Sequence, residues 1–295
     1  MASFTIGIVS PGAMGSAIGA AYAAGGARVV ATVDGRSART RGLAAAAGLE
    51  LLPALDDVVR HAAVVVSIVP PEHALAVAAE IGAAARRTDA NPLVADLNAI
   101  APATVRELAL LLGGSGLDVL DGSISGRPPH PGGSTRVYLS GGRAAEFARL
   151  PAPGIDARVV GGDIGSASAV KMSTASVYKG MAALMAHALL AAWASGVLEH
   201  VLEDLRDEAP ELLENVALWL AHSAAKSGRY AGEMREIATT QAEAGLPREL
   251  FDGFAAAYAE LALTPLGREE PESIAAEVAL EDVLGALSAP GAGRS

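Results

Sequence analysis

For roughly the first 160 residues, short β-branched runs alternate with alanine-rich helical stretches, and after Gly165 the alternation stops. Such alternation predicts a parallel sheet with helices on both faces, because each helix must bury its apolar stripe on the sheet. Strands are predicted at Thr5–Val9, Arg28–Val33, Ala63–Val69, Leu93–Asp96, Asp118–Leu120, Arg136–Ser140 and Arg158–Val160. Helices are predicted near Ala13–Ala24, Ser37–Ala47, Pro71–Ala85, Pro102–Leu112 and Arg143–Leu150. Pro71 and Pro102 stand in first helical turns, where a missing N–H costs nothing. Beyond Gly165 only helical segments are legible, punctuated by Gly196, Pro210, Gly228, Gly245, Pro247, Pro265 and Pro271. The expected architecture is α/β: a doubly wound Rossmann-type sheet over 1–162, an all-helical domain over 163–287, and a disordered tail over 288–295.

Composition narrows the function classes. The chain is 51% hydrophobic but only 4% aromatic, so its cores must be built from Ala, Val and Leu. A formal net charge of −11 argues against a nucleic-acid or anionic-membrane partner, both of which want a basic surface. Local arginines can still receive a small anionic substrate. With no cysteine there is no disulfide framework and no thiolate chemistry, which agrees with a cytoplasmic protein. The opening residues lack the basic stretch of a secretory signal. Met181–Leu202 is apolar enough to catch a membrane window, yet His187 and Glu199 interrupt it, so a buried bundle helix is expected. Six scattered histidines show no metal spacing, and no metal is expected.

The N-terminal strand runs into Ser10-Pro11-Gly12-Ala13-Met14-Gly15, which occupies the place of G-x-G-x-x-G with serine first. Gly12 would let a pyrophosphate approach the backbone, and Gly15 would let helix pack tightly on strand. The helix N-terminus offers N–H groups and partial positive charge to phosphates. Pro11, Gly12, Ala13, Met14 and Gly15 are therefore candidate cofactor residues. After the second strand, Asp34 suits the ribose hydroxyl of NAD, whereas Arg36 and Ser37 suit the 2′-phosphate of NADP. Together they favour NADP and leave NAD open.

Taken in order, these segments resemble the β-hydroxyacid dehydrogenases, the superfamily of 3-hydroxyisobutyrate and 6-phosphogluconate dehydrogenases and of imine reductases. Gly12-Ala13-Met14-Gly15 resembles the family's G-x-M-G, and Ser67-Ile68-Val69-Pro70-Pro71 its strand end beside the cofactor. Asp96-Leu97-Asn98 stands where the family has an acid and small polar residues before a proline. Asp121-Gly122-Ser123-Ile124-Ser125-Gly126 resembles its D-A-P-V-S-G substrate loop, and Gly165 through Lys171 the segment ending in its catalytic lysine. The C-terminal half is similar to a branch of 6-phosphogluconate-dehydrogenase-like proteins, through Lys179-Gly180 and Arg229–Ile237.

The resemblance implies an NADP- or NAD-dependent oxidoreductase acting on a small β-hydroxy acid or related polar alcohol. Val69, Pro70 and Asn98 would lie at the cofactor, and Ser123, Ser125 and Gly126 at a substrate carboxylate. Lys171 would be the general acid/base, since taking a hydride from an alcohol carbon requires the hydroxyl proton to leave as well. Burial, the nearby cationic ring and the helix N-terminus would all disfavour its charged form. Two departures stand out: Ala175 replaces an asparagine four residues after the lysine, and Tyr178 replaces a phosphogluconate-dehydrogenase glutamate seven after it. Thr174, Tyr178 and Lys179 are thus candidate substrate contacts. A homodimer is implied, with Arg229, Glu233 and Glu236 set to face a partner's cleft or to form a surface ion network. An imine reductase and a non-catalytic dinucleotide-binding protein are the alternatives.

Overall fold

The structure, a computed structural model, describes residues 4–130 and 132–288. Pro131 and the predicted tail from Ala289 lie outside them, whereas Ser288 closes the last helix. The chain divides into two compact units, one ending at Met172 and the other starting at Ser173.

The first unit runs β1 (Thr5–Val9), α1 (Ala13–Ala24), β2 (Arg28–Ala31), α2 (Ala38–Ala46), β3 (Glu50–Leu51), α3 (Leu55–His61), β4 (Val64–Ser67), α4 (Ala74–Thr88), β5 (Leu93–Asp96) and α5 (Pro102–Gly113). It continues through β6 (Val119–Ser125), β7 (Thr135–Ser140), α6 (Ala144–Phe147) and β8 (Ile155–Gly161) into α7 (Ser166–Ala194). One eight-stranded sheet has the order β3-β2-β1-β4-β5-β6-β7-β8. β1 to β6 are parallel, β7 reverses against β6, and β8 is parallel to β7. Every residue of β1, β4 and β5 is buried, as central parallel strands covered on both faces require. Successive side chains point to opposite faces. Ile6, Ile8, Val64, Val66, Leu93 and Ala95 therefore enter one core with Ile18, Leu120 and Phe147. Val9, Val65 and Val94 enter the other with Ile81, Leu108 and Leu112. Each such Val, Leu, Ile or Phe side chain contributes about 1.5–3 kcal/mol when fully buried.

Four elements depart from the predicted pattern. β3 and α3 form where no element is predicted; α3 is short, but Asp56 and Asp57 in its first turn and Arg60 and His61 in its last complement its dipole. The helix expected from Pro71 opens as a 3-10 turn, Pro71–His73, before α4. β6 runs on to Ser125 instead of ending at Leu120, because antiparallel pairing with β7 from Asp121↔Ser140 to Ser125↔Arg136 carries it.

The second unit holds α7 from Ser173 onward, then α8 (Leu198–Glu208), α9 (Val216–Ala224), α10 (Ser227–Glu243), α11 (Glu249–Leu261) and α12 (Leu280–Ser288). Among its described residues there is no strand. α10 packs along α11, with Tyr258 fully buried and edge-on to Tyr230 at 5.3 Å. Gly180 lets α7 lie close to α11: a Cβ there would stand 3.3 Å from the Phe254 ring. At 29 residues α7 is long and apolar enough to cross a membrane. Its buried Ala182, Ala183, Met185, Ala186 and Leu189 mark it instead as a core helix, and it ends before Gly196, which takes a φ of +70°.

Candidate active site

The strand order places the carboxyl ends of β2, β1, β4, β5 and β6 side by side on one sheet edge, where dinucleotides bind in such folds. The turn after β1 has the shape a phosphate needs. Ser10, standing for the first glycine of the fingerprint, adopts a φ of +64°, a left-handed conformation that costs a non-glycine residue of order 1 kcal/mol. Gly12 caps α1, and no side chain caps that helix. The N–H groups of its first turn therefore have no partner within the helix. A Cβ at Gly12 would meet nothing within 4 Å, so the space above the turn is open to an anion. At Gly15 a Cβ would stand 2.5 Å from the Ser10 carbonyl oxygen, which confines this position to glycine. Ser16 locks the turn from below by donating to the Pro11 carbonyl at 2.6 Å. Pro11 and Gly15 are buried, while Gly12, Ala13 and Met14 are half-buried. These residues fit a dinucleotide pyrophosphate.

At the end of β2, Asp34 is exposed and Gly35 turns the chain with a φ of +65°. Arg36 is half-buried, and its carbonyl accepts from the Arg41 guanidinium. The Ser37 hydroxyl caps α2 by accepting from Thr40 N–H at 3.2 Å.

A row of polar residues follows the same edge. Ser67, Asp96, Asp121 and Ser140 are register partners across β4, β5, β6 and β7, and all four are buried. Asn98 ties two of these strands together. Its Nδ2 donates to Asp96 at 2.6 Å, while its Oδ1 accepts from Val69 N–H at 2.6 Å. At 2% exposed, Asn98 sets the shape of the crevice wall, with Pro70 exposed beside it. Burial pushes the Asp96 carboxyl up to about 7; the Asn98 backbone and side-chain donors oppose this, and the Asp121 charge adds to it.

Lys171 bonds to β6 three residues past the Asp121 position of that row. Its ammonium is partly buried and donates to the Ile124 carbonyl at 2.7 Å, immediately before Ser125, where β6 ends, and Gly126. Ser125 is half-buried, and Gly126, with a φ of +114°, is exposed. Ser123 has a different use from the one expected. It is fully buried, and its hydroxyl donates to the Ala167 carbonyl at 2.8 Å, so it holds α7 to β6. Asp121, read only as the start of a substrate loop, anchors the same helix: its carboxylate accepts from the N–H groups of Gly165, Ala167 and Ser168 at 2.9, 3.0 and 3.1 Å. It also accepts from the Ser140 and Ser168 hydroxyls at 2.8 and 2.7 Å.

Thr174, Tyr178 and Lys179 fall in the second unit. Tyr178 is 71% exposed and Thr174 half-buried. Lys179, expected at the substrate, commits its ammonium to Glu233 and lies 4.3 Å from the Tyr230 ring centroid. Glu233 is buried and also pairs with Arg229 at 3.1 Å, so the ion pair runs from the exposed Arg229 inward through Glu233 to Lys179. Arg127 is exposed, and its loop is tied back by Thr135 donating to the Arg127 carbonyl at 2.8 Å.

Residues 5–153, about half of the chain, match the NAD binding domain of 6-phosphogluconate dehydrogenase, and residues 192–261 match a domain of unknown function, DUF1932. The conserved protein MTH1747, of unknown function and described as structurally similar to 3-hydroxyacid dehydrogenases, is 29% identical. Its structure covers 88% of this chain and 97% of its own, with a TM-score of 0.65. A Mycobacterium tuberculosis 3-hydroxyisobutyrate dehydrogenase solved with L-serine shares the fold at 20% identity and a TM-score of 0.64, over 97% of this chain and all of its own. An uncharacterized 28.5 kDa protein of Methanothermus fervidus is 26% identical over 175 residues, 59% of this chain and 66% of that relative. The dinucleotide-binding family accounts for the first half of the sequence and the dehydrogenase fold for both halves; the chain belongs to the β-hydroxyacid dehydrogenase superfamily.

Proposed function

We propose that the chain is an NADP-dependent oxidoreductase that interconverts a small β-hydroxy acid, or a related polar alcohol, with its carbonyl form. The observation that carries this reading is the placement of Lys171, whose ammonium sits at the carboxyl end of β6 beside Ser125 and Gly126, on the edge that bears the phosphate turn. When bound, the nicotinamide dinucleotide supplies the hydride donor or acceptor. The residues do the remaining work. The first turn of α1 binds pyrophosphate, and the Asn98 brace keeps the Val69–Pro70 wall in place. Arg36 receives a 2′-phosphate, which favours NADP; the exposed Asp34 serves the ribose of NAD if the preference is reversed. Ser125 and the Gly126 backbone orient the substrate carboxylate. Lys171 takes the hydroxyl proton in oxidation and returns it in reduction. The unit from Ser173 onward pairs with a second copy, a reading supported by exposed Val177 and Leu184 one heptad apart on α7.

The test is turnover of NADPH and NADH against semialdehydes, 3-oxo acids and cyclic imines. Lys171→Ala is expected to lower turnover about 100- to 10,000-fold, with cofactor affinity within about threefold of wild type. Undiminished turnover in Lys171→Ala contradicts the mechanism. Turnover confined to imines moves the chain to the imine reductases, and a monomeric mass by light scattering removes the dimer.

A further inference from the structure

The five hydrogen bonds gathered by Asp121 are more than a strand needs. A helix of this length presents roughly half a positive charge at its first turn. Asp121 reaches that turn from β6 and accepts from three of its N–H groups, with Oδ2 additionally taking the Ser140 hydroxyl and Oδ1 the Ser168 hydroxyl. Lys171 lies one turn further along α7 and donates to Ile124, three residues beyond Asp121 on the same strand. Strand and helix are thus stitched at two points: a buried carboxylate at one and the lysine itself at the other. Ser123, between them, adds its own bond to Ala167.

We infer that Asp121 is the positioning residue for Lys171: it fixes the first turn of α7 on β6, and its buried negative charge offsets the helix dipole that would otherwise disfavour the ammonium. Calling Lys171 the proton carrier rests on the function proposed above; the coupling of Asp121 to Lys171 does not, and it is measured without turnover. The chain has only three lysines, Lys171, Lys179 and Lys226. Full-length protein labelled with 13C at lysine Cε therefore gives three signals, and Lys171→Arg identifies the relevant one.

Asp121→Asn preserves the shape, because its amide oxygen can take the four Oδ2 donors and the Ser168 hydroxyl can turn to accept. Only the charge is withdrawn. The Lys171 titration midpoint is expected to fall by about half a unit or more, while that of Lys226 stays put. A Lys171 midpoint equal to that of wild type overturns the electrostatic part. Ser168→Ala keeps the charge but removes one tether, and serves if Asp121→Asn does not fold. It is expected to leave the Lys171 midpoint in place and to speed amide exchange at Ala167 and Ser168 at least about tenfold; unchanged exchange overturns the anchoring part. If these results hold while Lys171→Ala retains full turnover, the proposed function fails and the coupling stands.

Discussion

Lys171 and Lys179 lie eight residues apart in α7, in different units, and are held by chemically opposite partners. Lys179 donates to the buried carboxylate of Glu233 and rests near the Tyr230 ring, both of which stabilise an ammonium. Lys171 donates to a neutral carbonyl, Ile124 O, which favours the charged form far less than a carboxylate does. Of these two bonds, the one to the carboxylate holds a charge the more firmly. The same contrast extends to the units. In the first, the buried polar residues Ser67, Asp96, Asp121 and Ser140 line one sheet edge; in the second, the buried Glu233 takes Lys179 on one side and the exposed Arg229 on the other.

The contrast predicts opposite phenotypes for the two lysines. Lys171→Ala should cost turnover and, through the lost bond to Ile124, about 1 kcal/mol of stability. Glu233→Ala takes the buried carboxylate away from Lys179, and urea unfolding should show a loss of about 3–5 kcal/mol. Lys179→Met with Glu233→Leu should recover most of it, because an apolar pair removes the buried charges together. A Glu233→Ala protein as stable as wild type would erase the distinction between the sites.

Asp96 sharpens the comparison, since it is a buried acid with no cation beside it. Its folded value of about 7 lies above the ordinary carboxylate range, so the folded state holds this proton more tightly than the unfolded chain does. The stabilising effect is complete below the unfolded value near 4 and is lost as pH rises through about 7. Between pH 5 and 8 the stability of Asp96→Asn relative to wild type should therefore move in the variant's favour, by about 2–3 kcal/mol, read from unfolding at each pH. A constant difference across that range would mean that Asp96 stays ionised. At the small end, Ser37→Ala removes the α2 cap and should cost about 0.5–1 kcal/mol of stability, read from urea unfolding.

What could be read from the sequence divides along the same line. β1 and β5 have their predicted bounds because their apolar runs end abruptly at turn-forming residues. The phosphate turn was legible because its chemistry is local, with Gly12 and Gly15 three apart. β6 was cut short because Asp121, Gly122 and Ser123 are poor strand formers, and only pairing with β7 overrides that. The anchoring roles of Asp121 and Ser123 depend on partners 44–47 residues away, and the Lys179–Glu233 pair spans 54, so no local spacing encodes them. One signal was available: a chain with three lysines against nineteen arginines keeps lysine where the geometry of a guanidinium would not serve.

Adding small primary amines to Lys171→Ala, with NADPH and the best carbonyl substrate from the panel, tests the proton-carrier claim most directly. Restored turnover that rises with amine concentration, and no such response in Lys179→Ala, is the predicted result. Turnover at the wild-type rate in Lys171→Ala before any amine is added would contradict it.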